Sequence, residues 1–186
     1  LEGNPDVGIS SGEVGCVTSH LKAIKQWYET TDTPYAIFAE DDVSFDTARF
    51  WKFTWDEFVE KLPYDWDVVQ LAIINPGVVY ASMHARWVND FSTACFMVTR
   101  HHAKKLIEHH CVGDKFRLDQ GVKPRPVADD LIYNCGRTYA IPLFHYKIEM
   151  GSSIHPEHIE VFHKGSHKGI LDHWRENLAQ MEDQNV

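Results

Sequence analysis

Three consecutive carboxylates, Glu40-Asp41-Asp42, directly follow an apolar segment over residues 35–39. Such a segment after a proline is typical of a buried strand in a parallel sheet covered on both faces. Because an unpaired buried charge is costly, we expect the acids where the strand emerges, at the edge where α/β sheets bind ligands. Hard divalent cations such as Mg²⁺ and Mn²⁺ prefer carboxylate oxygens. The triplet therefore predicts a cation site, with a solvated acidic turn as the alternative.

A second acidic pair, Asp129-Asp130, opens a short predicted helix far downstream. Negative charge suits a helix N-terminus, which is the plainest explanation of the pair. The chain carries no GxSxG, P-loop or zinc-protease motif. Two separated acidic clusters without a nucleophile motif favour a metal-assisted transfer from a phosphorylated donor, with one cluster holding the cation and the other supplying a base.

The composition limits the possible partners of the chain. Its 186 residues are enough for one domain, and the net charge is −9, with no long block of like charges. This argues against a nucleic acid or an anionic membrane as partner, since both require a basic face. No apolar run approaches the length of a transmembrane helix. Four widely spaced cysteines without a CxxC pair predict buried free thiols in a reducing, cytoplasmic compartment.

Hydrophobic periodicity predicts alternating helices and strands around the acidic clusters. Ser10 and Glu13 form a capping-box signature for a helix that ends near Glu29. A proline within the last predicted strand, Pro142, places that strand at a sheet edge. The mixed polar and aromatic segment 77–92 is either an acceptor-binding flap or a surface excursion. The remaining predicted elements are helices over residues 44–62, 100–110, 129–133 and 170–181, and strands over 66–72, 93–99 and 138–144.

Two motifs, in this order and at this spacing, resemble glycosyltransferase family 25, which holds bacterial lipooligosaccharide galactosyltransferases and collagen galactosyltransferases. The first is Gly12-Glu13-Val14-Gly15-Cys16-Val17-Thr18-Ser19-His20, which resembles the GE-x-GC-x-x-SH helix of the family. The second is Phe38-Ala39-Glu40-Asp41-Asp42-Val43, which resembles its EDD version of the DxD motif. Residues 96–106 and 127–131 resemble later family segments more weakly.

The resemblance implies a GT-A fold, which is an α/β fold: a Rossmann-type α/β/α sandwich with a mostly parallel central sheet, formed by residues 1–186 as one glycosyltransferase domain. The implied activity moves a hexose such as galactose or glucose from a UDP-sugar to a saccharide or other hydroxylated acceptor, with inversion, as in lipopolysaccharide biosynthesis. The implied cofactor is Mn²⁺ or Mg²⁺.

The resemblance also implies roles for the acidic triplet. Asp42 would be the primary metal ligand, while Glu40 or Asp41 would contact the metal or the donor ribose. GT-A enzymes often take a third ligand from a histidine in the C-terminal part of the chain, for which we choose His155. Two other histidines are alternatives for this ligand: His145 and His163.

The other implied roles belong to the first helix and the second acidic pair. Ser19 and His20 would line the donor side, and Asp129, or failing it Asp130, would deprotonate the acceptor. Family members usually carry a first strand and a nucleotide-binding loop before this helix, whereas only residues 1–11 precede Gly12 here. A missing first strand would alter base recognition, so two alternatives stay open: an inactive GT-A-like binding module and a metal-dependent phosphohydrolase.

Overall fold

Five α-helices and eight strands follow one another along the part of the chain that the computed structural model describes, which is residues 1–2, 8–77, 79–118, 125–147 and 162–182. The helices are α1 (Ser11–Thr30), α2 (Trp55–Glu60), α3 (Arg100–His110), α4 (Ala128–Tyr133) and α5 (Lys164–Glu182). The strands are β1 (Tyr35–Ala39), β2 (Val43–Ser44), β3 (Val68–Ala72), β4 (His84–Ala85), β5 (Cys95–Thr99), β6 (Cys111–Val112), β7 (Lys115–Phe116) and β8 (Thr138–Tyr146).

The main sheet is mixed rather than mostly parallel, so that part of the predicted fold is wrong. Its strands lie in the order β1-β5-β3-β8-β2, and β4 pairs with β8 beside β2. Within the described ranges only β3 and β8 run parallel, because β5 lies between β1 and β3 and runs opposite to both. The apolar character of β3 and β5 reflects burial on both faces, which helices provide whatever direction a strand takes.

The positions of β1 and β8 in the sheet are the reverse of those predicted. β1 is an edge strand on which Ile37 is 41% exposed, so it is not covered on both faces. β8 is an interior strand despite Pro142. The β3–β8 register shifts where Gln70 pairs with Ala140 but Ala72 pairs with Phe144. The missing N–H of Pro142 falls within this irregularity, where proline is tolerated.

Helix caps explain where the first two helices begin. The Ser10 hydroxyl accepts from the Glu13 N–H, and the Glu13 carboxylate accepts from the Ser10 N–H, which confirms the predicted capping box of α1. A second capping box at Thr54 opens α2. The single helix predicted over residues 44–62 is therefore wrong: the segment forms β2, a 3-10 helix (Asp46–Phe50) and the short α2.

Two hydrophobic cores lie on opposite faces of the sheet, because alternate residues of β3 and β5 point to opposite sides. One core joins the sheet to α1, α3 and α4: Val17, Leu21, Ile24, Val68, Phe96, Val98, Leu106, Leu131 and Ile132. The other joins it to α2 and α5 and is rich in aromatic rings: Phe58, Val69, Leu71, Met97, Leu143, Phe144, Trp51, Phe53 and Trp174. The helices on the first face carry two of the sequence motifs to the same end of the sheet.

Candidate functional site

The acidic triplet lies where β1 ends, as the sequence predicted. Glu40 follows the last residue of β1, and its N–H donates to the Ala94 carbonyl at 2.7 Å. The chain then turns into β2, and the Lys147 N–H donates to the Asp42 carbonyl at 2.7 Å. Backbone contacts to two neighbouring strand ends thus fix the triplet at the sheet edge.

One carboxylate oxygen of Asp42 has no hydrogen-bond donor beside it among the described residues. This oxygen, Oδ1, is buried. Burial and the neighbouring charges of Glu40 and Asp41 raise the pKa of Asp42 to about 6. A buried oxygen with no donor, next to two further carboxylates, fits a hard divalent cation, since such an ion would supply the missing positive partner.

Glu40 joins the triplet to helix α1. Its Oε1 lies 3.0 Å from Nε2 of His20 and accepts from the Thr93 hydroxyl at 3.4 Å. Burial alone would lower the pKa of His20, but hydrogen bonds and charge interactions with Cys16 and Glu40 outweigh it and raise the pKa to about 9. At neutral pH the pair is therefore imidazolium with carboxylate, which fixes Oε1 of Glu40 against helix α1.

An open cleft of about 380 Å³ lies between α1 and the end of β1. Ser19, His20, Glu40 and Asp41, the four residues predicted to bind the donor, all line it. Its other lining residues are Cys16, Ala23, Phe38 and Ala39. Helical spacing explains the grouping, since residues 16, 19, 20 and 23 lie on one face of α1.

Asp129, in the first turn of α4, lies close enough to Glu40 for the charge of Glu40 to affect it. Its Oδ1 accepts from the Ser92 N–H and lies 3.8 Å from Nη2 of Arg86, and its side chain is 24% exposed. Burial raises the pKa of Asp129 to about 6, although Arg86 and Ser92 oppose the shift. The fold thus brings the two acidic clusters together.

Asp130, the alternative base, is bonded within its own segment. Its carboxylate accepts from the Arg125 N–H at 3.0 Å and from Nδ2 of Asn134 at 3.1 Å. The first contact ties the start of α4 to the segment before it, and the second ties Asp130 to the C-cap residue of the same helix. The two acids therefore have different surroundings in the structure, whereas the sequence did not distinguish them.

Ser92, which the sequence analysis did not identify, connects Asp129 to buried side chains of α4 and the sheet. Its φ of 103° lies in a region that non-glycine residues rarely adopt. Its carbonyl accepts from the Tyr133 hydroxyl at 2.8 Å and from Nε2 of Gln70 at 2.9 Å, and its side-chain oxygen contacts the Tyr146 hydroxyl. The signal in the sequence was Gln70, a polar residue inside an otherwise apolar strand.

Tyr80, His84 and Trp87 form an exposed aromatic patch. The ring centroid of His84 lies 5.6 Å from that of Tyr80 and 4.5 Å from that of Trp87, and the Tyr80 and Trp87 rings are also 5.6 Å apart. Tyr80 and Trp87 are about half exposed. Arg86, which contacts Asp129, lies next to Trp87 in the chain, so this patch belongs to the segment that reaches the second acidic cluster.

Asp90 fixes the aromatic patch to the sheet. Its carboxylate is fully buried and accepts from Nδ2 of Asn75 at 3.0 Å and from the Trp87 N–H at 2.8 Å. It also lies 3.1 Å from Nε2 of His84. The segment predicted as a flap or surface excursion is therefore anchored by a buried acid that the sequence did not single out.

The histidine ligand chosen from the sequence, His155, lies outside the described residues. Of its two alternatives, His145 lies in β8, where its Nδ1 is 3.0 Å from the Tyr146 carbonyl, and its ring packs on His167. The ring of His163 packs on Tyr146. A different set of ligand atoms converges within 4.8 Å, on Cys16, His20 and Glu40.

Comparison of the chain with protein-family models, curated proteins and solved structures found no match. Among the described residues, no helix combines the length and the apolar character needed to cross a membrane.

Proposed function

We propose that this protein is a metal-dependent glycosyltransferase with a GT-A-like arrangement, which moves a sugar from a nucleotide-diphosphate donor to a hydroxyl acceptor with inversion. One observation carries the proposal: two acidic clusters far apart in sequence meet at one end of the sheet. One contains a buried carboxylate oxygen of Asp42 that has no partner among the residues described, and the other contains Asp129 with a pKa of about 6. These are the properties expected of a cation ligand and of a general base.

The donor half of the proposed site comprises Asp42, Glu40 and the cleft beside α1. Asp42 and the second carboxylate oxygen of Glu40 would hold Mn²⁺ or Mg²⁺, which when bound would neutralise the diphosphate and stabilise the charge of the leaving group. His20 keeps Glu40 in place through its ion pair. Ser19 and Asp41 line the cleft and are available to donor hydroxyl and ribose groups.

The acceptor half comprises Asp129, Arg86 and the aromatic patch. At neutral pH a carboxylate with a pKa of about 6 is ionised and can take the proton of the acceptor hydroxyl. The acceptor oxygen then bonds to the anomeric carbon while the bond from that carbon to the diphosphate oxygen breaks, and its electron pair leaves with the nucleotide. Exposed rings such as Trp87 offer apolar faces on which a sugar ring can pack.

Ligand-dependent stability and acceptor-dependent turnover together test this proposal. We expect UDP to raise the melting temperature only when Mn²⁺ is present, since a ligand at about 100 times its Kd adds about 2.7 kcal/mol. We then expect UDP-galactose or UDP-glucose to release UDP mainly when a saccharide acceptor is supplied. Failure of every nucleotide to stabilise the protein would contradict the proposal and favour a binding module. UDP release at a rate that does not depend on the acceptor would favour a phosphohydrolase.

Asp42→Asn provides the sharpest variant for the same experiment. It should abolish Mn²⁺-dependent UDP binding, because it removes the charge of the carboxylate that lacks a partner. It should also raise the melting temperature of the ligand-free protein, since about 1 kcal/mol of unfavourable charge burial disappears. Asp32→Asn is the matched control, because Asp32 is fully exposed and has only a distant ion pair with Arg100. Unchanged binding in Asp42→Asn would refute the metal role.

A further inference from the structure

Cys16, His20 and Glu40 form a compact cluster whose sulfur, nitrogen and oxygen atoms lie within 4.8 Å of one another. Cys16 and His20 are one turn apart on the same face of α1, and Glu40 reaches them from the end of β1. Two rigid elements therefore supply the three side chains. All three line the cleft, which gives an ion a path from solvent.

The donor types in this cluster differ from those of the acidic triplet. Thiolate and imidazole ligands favour Zn²⁺ and related ions over Mg²⁺ or Mn²⁺, which prefer oxygen alone. Three protein ligands with a fourth position open to solvent are also the usual arrangement of an accessible zinc site. Typical Zn–S and Zn–N distances of about 2.3 and 2.0 Å require the three atoms to approach one another by only small side-chain rotations.

We propose that Cys16, His20 and Glu40 form a binding site for a thiophilic divalent cation such as Zn²⁺, next to the site proposed at Asp42 and sharing Glu40 with it. Binding releases the thiol proton of Cys16 and the imidazolium proton of His20 to solvent, and Glu40 turns from its ion pair to the metal. The proposal does not rest on the transferase activity. Because Glu40 belongs to both sites, Zn²⁺ would withdraw it from the acidic triplet and inhibit any Mn²⁺-dependent reaction there.

Cobalt substitution tests the site directly in the reduced chain of residues 1–186. Co²⁺ should produce the near-ultraviolet charge-transfer absorption of a cobalt–thiolate bond, and added Zn²⁺ should remove it. Cys16→Ser should abolish this absorption. Cys111→Ser and Cys135→Ser should leave it unchanged, since neither thiol belongs to the cluster. Asp42→Asn should also leave it unchanged, which distinguishes this site from the one proposed for Mn²⁺.

A second variant guards against misfolding of Cys16→Ser. His20→Gln should weaken Zn²⁺ binding more than about tenfold in competition with a chromophoric chelator, since changes even outside the ligand shell typically reduce affinity about 10–100-fold. Circular dichroism would establish that each variant is folded. Absence of the cobalt–thiolate absorption in the wild type, or its persistence in folded Cys16→Ser, would overturn the proposal. Zn²⁺ affinity unchanged in folded His20→Gln would do the same.

Discussion

Asp129 differs from the other acids near the site in the way its carboxylate is held. The Ser92 N–H and Arg86 bind one of its oxygens, whereas both oxygens of Asp130 are engaged by its own segment. Burial nevertheless dominates and raises the pKa of Asp129 to about 6. A carboxyl group near this pKa is a stronger base than an exposed aspartate and is still ionised at neutral pH.

Asp129→Asn should therefore reduce transfer about 10²–10⁴-fold while donor binding stays intact. The amide keeps the oxygen that accepts from Ser92 but cannot take a proton. At saturating Mn²⁺, which keeps Asp42 ionised, the wild-type kcat/KM should fall about tenfold per pH unit below pH 6, because protonated Asp129 is inactive. Steady-state kinetics from pH 5 to 8, together with UDP titration, check both points. Asp130→Asn is the control. Loss of activity in Asp130→Asn together with full activity in Asp129→Asn would show that Asp130 is the base.

At the residue scale, sequence patterns predicted the position of the acids but not their surroundings. The charge of Glu40, Asp41 and Asp42 forced them out of the core, so their place at the end of β1 followed from solvation. The strained backbone of Ser92 and its contact with Tyr146 arise from pairing between segments far apart in the chain. No local pattern encodes such contacts; the polar Gln70 inside an apolar strand signals a buried polar junction but does not identify its partners.

At the scale of single elements, the segment from Tyr80 to Ser92 is ordered by one buried acid. Asp90→Ala should lower the free energy of unfolding by about 3 kcal/mol, because it leaves the buried Nδ2 of Asn75 and the Trp87 N–H without their acceptor. Urea denaturation measures the loss. Asn89→Ala, at the exposed neighbouring position, should change stability by less than about 0.5 kcal/mol. Equal effects of the two substitutions would show that Asp90 is not the anchor.

The aromatic patch on the same segment gives a prediction about the acceptor. Trp87→Ala should raise the acceptor KM about fivefold with little change in donor binding, because a lost ring contact is worth about 1 kcal/mol. Initial rates at varied acceptor and saturating donor test this. Tyr64→Ala is the matched control, since Tyr64 is a fully exposed ring that belongs neither to the aromatic patch nor to the acidic clusters. An unchanged acceptor KM in Trp87→Ala would show that the aromatic patch is not part of the acceptor site.

Element types followed from the sequence more readily than sheet positions did. Capping residues and apolar periodicity located α1, α3, β3 and β5 closely, since these signals are local. The order of the strands is a global property, which depends on how loops route the chain. The sequence therefore suggested an edge position for β8 from Pro142, although a register irregularity accommodates the proline inside the sheet.

At the scale of the whole molecule, the pair between His20 and Glu40 joins α1 to the sheet edge and makes stability depend on pH. The pKa of His20 is raised to about 9 in the folded protein, above the ordinary value of 6.5. The folded state therefore holds the proton more tightly than the unfolded state does. Its contribution is fully present below pH 6.5 and is lost as the pH rises through 9.

Unfolding free energies measured from pH 6 to 9.5 should show this loss as a difference between wild type and His20→Gln. The difference should shrink by about 1–3 kcal/mol across the window, since one pKa unit corresponds to about 1.36 kcal/mol. Cys95 also contributes near the upper end, because burial raises its pKa to about 12 and unfolding exposes it. That effect is common to both proteins and cancels in the difference. A pH-independent difference would mean that His20 is not charged in the folded protein, and that Glu40 is held by a neutral hydrogen bond instead.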